Sequence, residues 1–374
     1  MSEKKIKFDM YNKNIPFNDL PVLPPSDIDL ETPGVLKALA KASRNLGELK
    51  GLCATLPDPQ VLINTIVLQE SKDSSAIENI VTTQDELYRA VAEAETASQS
   101  TKEVLSYREA LYTGFTKMGV QKNLLLVNTI IEIVQTIKQN GAGIRNTPGT
   151  ALKNAINGEV VYTPPCCEDV LRDKLRSLEQ FINDPNLSDL DPLIKMALIH
   201  YQFEAIHPFS DGNGRTGRIV NVLYLVQQSL LPQPVLYLSS YIVDHKTDYY
   251  RLLRDVTEKG GWEDWTTFML TAVAETAKLT TAKINRILEL KIKMESEAKD
   301  IFGASYNHEL MQLMFTQPYL KIELLERKKI AHRQTASSWL KKLAEANVLH
   351  PEKTGRTTYY INHRLMNILS GHEV

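Results

Sequence analysis

The feature that most constrains this chain is a 3.6-residue spacing of apolar side chains that recurs along most of its 374 residues. Leu36, Leu39, Leu46 and Leu49 show it first. Val61–Glu70, Thr101–Met118, Leu124–Lys138, Glu168–Asn183, Pro192–Ile206, Gly212–Ser229, Tyr249–Thr257 and Trp262–Asp300 continue it. Such spacing puts one apolar stripe on an α-helix, which must be buried against a neighbour. The expected fold class is therefore mainly α. Ahead of the helices, the five prolines of Ile15–Pro33 predict an extended arm, because proline fixes φ and has no N–H to donate. Thr83–Gln84–Asp85–Glu86 has the form of a helix N-terminus: Thr83 can accept from the amide of Glu86, whose side chain reaches back.

Two segments break the rhythm. Arg145–Pro165 contains Thr147–Pro148–Gly149, then Asn157–Gly158 beside Glu159–Val160–Val161–Tyr162–Thr163. Asn-Gly next to β-branched residues predicts a β-hairpin. After Ser305 the elements shorten: helix His308–Phe315, then Lys321–Lys329, then Arg333–Ala346 with Ala336, Leu340, Leu343 and Ala344 on one face. A strand Val348–Pro351, a turn at Lys353–Thr354–Gly355 and a strand Thr357–Ile361 complete them. Three helices and a two-stranded wing make the winged-helix order. A division follows: 1–100, arm and helical region; 101–300, core; 301–374, winged-helix domain.

Net charge is −2, which argues against electrostatic attraction of the whole chain to nucleic acid or membrane. No apolar run approaches the ~20 residues that span a bilayer, and the lysines before Phe17 lead into no apolar stretch, so no signal peptide is expected. Cys53, Cys166 and Cys167 form neither a disulfide framework nor a zinc pattern, and a reduced cytoplasmic location is expected.

One string is not ordinary structure: His207-Pro208-Phe209-Ser210-Asp211-Gly212-Asn213-Gly214-Arg215-Thr216-Gly217-Arg218. Pro208 ends one helix and the next begins near Gly212. The loop between them offers the N–H groups of a helix N-terminus to an anion. Gly212 and Gly214 let a phosphate approach the backbone. Arg215 and Arg218, three apart, share a helix face and can grip a polyphosphate. Asp211 is a hard oxygen ligand for Mg²⁺, and His207 at the mouth can take a proton from a hydroxyl. Taken singly, a histidine at a helix end is more often a cap, Asp-Gly-Asn-Gly a turn, and two arginines a solvated face. Together they supply the separate needs of phosphoryl chemistry.

The string resembles the Fic motif, HxFx[D/E]GNGRxxR, at every position. The resemblance implies a protein adenylyltransferase that moves AMP from ATP to a Ser, Thr or Tyr hydroxyl of a target protein or of itself. It implies His207 as general base, Asp211 on Mg²⁺, and Gly212, Asn213 and Gly214 as the anion hole. Arg215 and Arg218 are implied on the β- and γ-phosphates, with Thr216 and Gly217 completing the ATP-binding loop and Phe209 anchoring it in the core. The hairpin 145–165 stands where the family has a flap that docks the target by strand addition. Tyr249 and Tyr250 fall where relatives place residues against adenine, although two tyrosines at helical spacing are more often core. Upstream, Ser74-Ser75-Ala76-Ile77-Glu78-Asn79 fits the family's inhibitory pattern [S/T]xxxE[G/N], which implies that Glu78 pairs with Arg218 and that the same site can also remove AMP.

Between Lys321 and Arg364 there are ten Lys/Arg against four Glu, a net of +6, which leaves −8 elsewhere. The segment 305–374 is read either as a DNA-binding patch or as a packing module with a solvated basic face. Two readings compete with the first: a DNA-binding regulator whose core only senses nucleotide, and a Fic enzyme using another donor. A closed homodimer, the commonest oligomer, is the expected assembly.

Overall fold

The computed structural model describes residues 11–371 apart from 27, 57, 58, 93–96, 148, 155 and 156, and omits the side chains of 59–64. The lysines ahead of Tyr11 and Pro148 of the first expected turn lie outside the described residues. The described residues of 11–32 hold no helix or strand, as the prolines require. Five helices follow: α1 (Pro33–Ala54), α2 (Pro59–Ile77), α3 (Gln84–Ala92), α4 (Gln99–Val120) and α5 (Val127–Lys138). A hairpin of β1 (Leu152–Lys153) and β2 (Val160–Tyr162) precedes α6 (Glu168–Asn183), α7 (Pro192–Ile206), α8 (Asn213–Gln227), α9 (Leu238–Asp244), α10 (Lys246–Lys259) and α11 (Trp262–Phe302). The tail comprises α12 (His308–Thr316), β3 (Tyr319–Leu320), α13 (Ile322–Arg327), α14 (Arg333–Glu345), β4 (His350–Thr354), β5 (Thr357–Ile361) and α15 (His363–Ser370). Helix takes 66% of the chain and strand 5%, so the protein is mainly α with small antiparallel sheets.

α7 is the centre. Thirteen of its fifteen residues are buried, Lys195, His200 and Gln202 among them, so it has no broad solvent face to offer. Its start is sharp: Pro192 stands in the first turn and Asp191 accepts from the Leu193 amide at 2.8 Å. Its end is as sharp, because His207 adopts a left-handed conformation, φ 49°, and Pro208 follows. α8 packs back on α7, so the His207–Gly212 loop lies between the two most buried helices. The expected cap of α3 forms with both bonds: the Glu86 amide to Thr83 at 3.1 Å and the Thr83 amide to Glu86 at 3.3 Å.

The tail has its sheet in the order β3-β5-β4. The expected turn at Lys353–Thr354–Gly355 shifts by a residue. Thr354 pairs with Thr357, so Gly355–Arg356 form the two-residue turn, with φ 59° at Gly355. The flap differs more. Asn154 and Glu159 close its tip (2.8 Å), and the Asn157 side chain takes the Glu159 amide, so Asn157–Gly158 are part of a wider loop. Arg89 on α3 fastens the tail sheet to the body. It bonds Asp85 at 2.7 Å, Glu352 at 2.5 Å and Thr354 at 2.7 Å, and lies 4.8 Å from the Tyr359 ring. Among the described residues no helix is long and apolar enough to cross a membrane, and the three cysteines are free.

Candidate active site

The loop after α7 is built around Asn213 and Phe209. The Asn213 side chain accepts from the Phe209 amide at 2.9 Å and donates to the Phe209 carbonyl at 2.8 Å, closing the loop on itself. The Phe209 ring points inward, buried beside Phe203, and burial of such a ring is worth about 2 kcal/mol. The Asn213 side chain is thus spent on loop shape; what it can give an anion is its backbone N–H. Gly212 caps α8 at φ 86°, and its N–H bonds Oδ1 of Asp211 at 2.6 Å. The first-turn amides of Asn213, Gly214 and Arg215 then have no acceptor within the helix, which leaves an anion site at its N-terminus.

His207 lies at this mouth, partly exposed, with Nδ1 buried and unpartnered. Burial, then the charge of Arg145, pushes its pKa down to about 4. The ring is neutral at pH 7 and can accept a proton. Arg145 ties this point to the flap. Its Nε donates to the His207 carbonyl at 2.8 Å, its amide to Pro208 at 2.9 Å, and its other guanidinium nitrogen to the Pro165 carbonyl at 2.5 Å. The arm runs beside the flap, with the Phe17 amide on the Thr163 carbonyl at 3.0 Å. The Tyr162 hydroxyl donates to the Ala205 carbonyl at 2.8 Å, fixing β2 on α7.

Asp211 is exposed, and its Oδ2 accepts from Lys138, the last residue of α5. Partial burial would raise its pKa, but the Lys138 ion pair outweighs this and holds it below the usual carboxylate range. No group of three or more His, Cys, Asp or Glu is poised for a metal among the described residues. A single carboxylate beside a phosphate site still fits Mg²⁺, which takes its remaining ligands from phosphate and water.

Glu70, Ser74 and Glu78 follow one another at four-residue steps and form a polar stripe on α2 and its end. The Arg218 guanidinium, 1% exposed, donates from Nε to the Ser74 hydroxyl, and from Nη2 to the Ser74 carbonyl and the Glu78 carboxylate, each at 2.8 Å. Asn79 is left-handed at φ 61°, a conformation that asparagine and glycine tolerate best, and its side chain accepts from Lys246 at 3.0 Å. Glu70 is buried between α9 and α4, accepting from the amide (2.9 Å) and hydroxyl (2.5 Å) of Ser239 and from the Tyr107 hydroxyl (3.2 Å).

Two expectations need correction. Arg215 and Arg218 do not converge here: Arg215, 2% exposed, reaches Glu103 on α4 at 3.1 Å, while Arg218 reaches back to α2. Tyr249 is 1% exposed, bonds His200 at 2.8 Å and packs on Trp265, so it belongs to the core. Tyr250, 46% exposed, is the member of the pair open to a ligand, and the charges of Glu78 and Arg218 act on its hydroxyl. Thr216 and Gly217 face the interior: Thr216 is fully buried, and a β-carbon on Gly217 would stand 2.6 Å from Glu204.

The comparisons agree along the chain. The model of the Fic/DOC family matches residues 124–225, that of the Fic/DOC N-terminal region 36–116, and that of the protein adenylyltransferase SoFic-like C-terminal domain 290–365. The chain belongs to the Fic/DOC family. Protein adenylyltransferase fic-1 of Caenorhabditis briggsae is 35% identical over 71 residues, 19% of this chain and 14% of that protein. Protein adenylyltransferase Fic of Drosophila erecta is 28% identical over 127 residues, 33% and 24% of the two. The chain thus spans less than a quarter of the length of these curated relatives. A Fic family protein of Desulfovibrio desulfuricans has a similar fold, with TM-score 0.55, 19% identity, and 88% and 96% of the two chains covered. Residues 134–508 of Fic-1 from Caenorhabditis elegans give 0.53 and 20%, covering 69% of this chain and 75% of that one.

In this Fic protein the sequence reading missed four charged residues that touch the motif: Glu103, Lys138, Arg145 and Glu204. Glu204 alone carries a local signal, the one acid of a largely apolar helix, three residues before His207. Burial raises its pKa to about 7, with Arg218 pulling the other way.

Proposed function

We propose that this Fic protein transfers AMP from ATP to a hydroxyl of a protein target and is held in check by Glu78. The observation that carries the reading is the complete His207–Arg218 motif with its final arginine bound by a carboxylate from α2. In the transfer, the target hydroxyl oxygen attacks the α-phosphorus, the bond to the bridging oxygen of the pyrophosphate leaving group breaks, and His207 takes the hydroxyl proton. The amides at the start of α8 and the guanidinium of Arg218 hold the β- and γ-phosphates, once Arg218 is released from Glu78. Asp211 would hold Mg²⁺, which neutralises charge on the phosphates when bound. The flap 145–165 receives the target segment, and Arg145 keeps flap and His207 in register. The three-part division 1–100, 101–300 and 301–374, a homodimer and the removal of AMP by the same site belong to this proposal.

Incubation with a cell lysate and ATP labelled on the α- or the γ-phosphate tests the reaction. Protein label from the α position alone supports AMP transfer. Label from the γ position alone marks phosphorylation and overturns it.

A further inference from the structure

The tail carries a surface that the transfer reaction does not use. α14 buries Ala336, Leu340 and Leu343, and turns Arg333, Gln334, Thr335, Ser338, Lys341 and Lys342 to solvent. This face is long enough, at about 20 Å for thirteen residues, to lie along a groove about 12 Å wide. Lys328 and Lys329, in the turn between α13 and α14, are exposed, as are Lys353 and Arg356 at the tip of the wing. The wing does not swing freely: Glu352 and Thr354 are bound by Arg89, while Lys353 and Arg356 stay exposed beyond them.

We infer that this surface binds duplex DNA, with α14 in the major groove and the turn and the wing tip on phosphates. Three observations converge on that partner. Residues 321–364 of the tail are +6 while the rest of the chain is −8, so attraction to a polyanion is confined to this segment and the body repels it. The first residues of α14 are Arg, Gln and Thr, types that can donate to or accept from base edges, at the helix end that meets them in a helix-turn-helix. The opposing acids leave the N-terminal part of this face largely free: Glu352 is spent on Arg89, Glu345 stands exposed only in the last turn of α14, and Glu323 and Glu326 lie 3.6 Å from exposed Arg333, a geometry worth little in water and open to exchange with phosphate.

The test measures anisotropy of a labelled 25-base-pair duplex of mixed sequence against the full chain, across a salt series. Micromolar binding at low salt is expected, weakening steeply as salt rises. The variant Lys328→Ala/Lys353→Ala/Arg356→Ala should weaken binding at least tenfold and lower the salt slope by about three, one unit for each lost phosphate contact. A control, Lys37→Ala/Arg44→Ala/Lys50→Ala, removes equal charge from the exposed face of α1 and should bind as wild type. Circular dichroism melting shows that both variants fold. Absence of binding at low salt overturns the inference, as does equal loss in both variants or tighter binding of single-stranded RNA of the same length.

Discussion

A β-carbon on Gly214 would stand 2.2 Å from Oε1 of Glu78, so the glycine leaves room for the carboxylate at the start of α8. Glu78 therefore occupies the anion site itself while it holds Arg218 one turn further on. On the proposed function a γ-phosphate needs both places, which makes the block steric and electrostatic at once, and removing the Glu78 side chain is expected to release it.

Glu78→Gly should raise AMP transfer strongly, on the order of 10²-fold, because the phosphates can then lie in line for attack. Glu78→Gln should raise it less, since bulk remains. The double variant Glu78→Gly/Arg218→Ala should be inactive, as the phosphate clamp goes with the lock. The same Glu78→Gly leaves the Arg218 guanidinium buried without that carboxylate and should melt earlier than wild type, with ATP restoring part of the loss. Transfer by folded Glu78→Gly no faster than wild type would show that the contact is structural only.

His207→Ala should lose about 10²–10⁴-fold in transfer while binding ATP as before, since the ring meets the acceptor proton and not the phosphates. With the folded pKa depressed to about 4, the ring is a competent base from about pH 5 upward. In the Glu78→Gly enzyme, which also loses the carboxylate charge that raises this pKa, the acid limb of kcat/KM should fall no higher than about pH 4, and not near the 6.5 of a free imidazole. The sign for stability follows: the unfolded chain holds the extra proton between pH 4 and 6.5, so this residue adds stability as pH rises through that window.

How much of this was legible depended on distance along the chain. The motif reads directly, because His207 to Arg218 places every part within one loop and the first two turns of one helix. Glu78 is 140 positions from Arg218 and was found only through the family pattern; its chemistry alone marks it as one more acid near a helix end. Lys138 and Arg145 gave no signal. A lysine closing an amphipathic helix is the ordinary partner of the helix dipole, and an arginine at the start of a broken segment reads as loop. The helices followed the apolar period, but α9 has seven residues and β3 two, too short for a period to show. For Tyr249 the resemblance pointed to adenine and the helical placement to core; the structure buries Tyr249 and leaves Tyr250 exposed, a choice that adjacent positions in sequence do not reveal.

Asp211→Ala should abolish Mg²⁺-dependent transfer, and EDTA should do the same to the wild type. Lys138 sharpens the test, because its ammonium pairs with the same carboxylate. In Lys138→Met the apolar stem that packs over Gly212 is kept while the competing charge is lost. Half-saturation by Mg²⁺ should fall several-fold in that variant at fixed ATP. An unchanged Mg²⁺ requirement in Lys138→Met would mean that the ion pair does not guard Asp211.

The last expectation concerns the anchor of α2. Glu70 is fully buried, and burial raises its pKa to about 7 against the bonds from Ser239, with Asp73 adding to the rise and Arg218 opposing it. The folded chain therefore holds this proton between pH 4.5 and 7 when the unfolded chain has released it. The contribution is fully present below pH 4.5 and is lost as pH rises through 7, up to about 3 kcal/mol over the window. Glu70→Gln keeps the shape and can meet the Ser239 amide and the two hydroxyls, which rotate to suit an amide. Its stability should not fall over that window on account of residue 70, so the difference between variant and wild type should move in favour of Gln from pH 4.5 to 7 and then level. Glu204, which titrates near the same value, is common to both chains and cancels in the difference. Urea unfolding of both proteins at intervals from pH 4.5 to 8 measures it. A difference that stays flat across the range would mean that Glu70 is ionised throughout and that its three donors fully offset its burial.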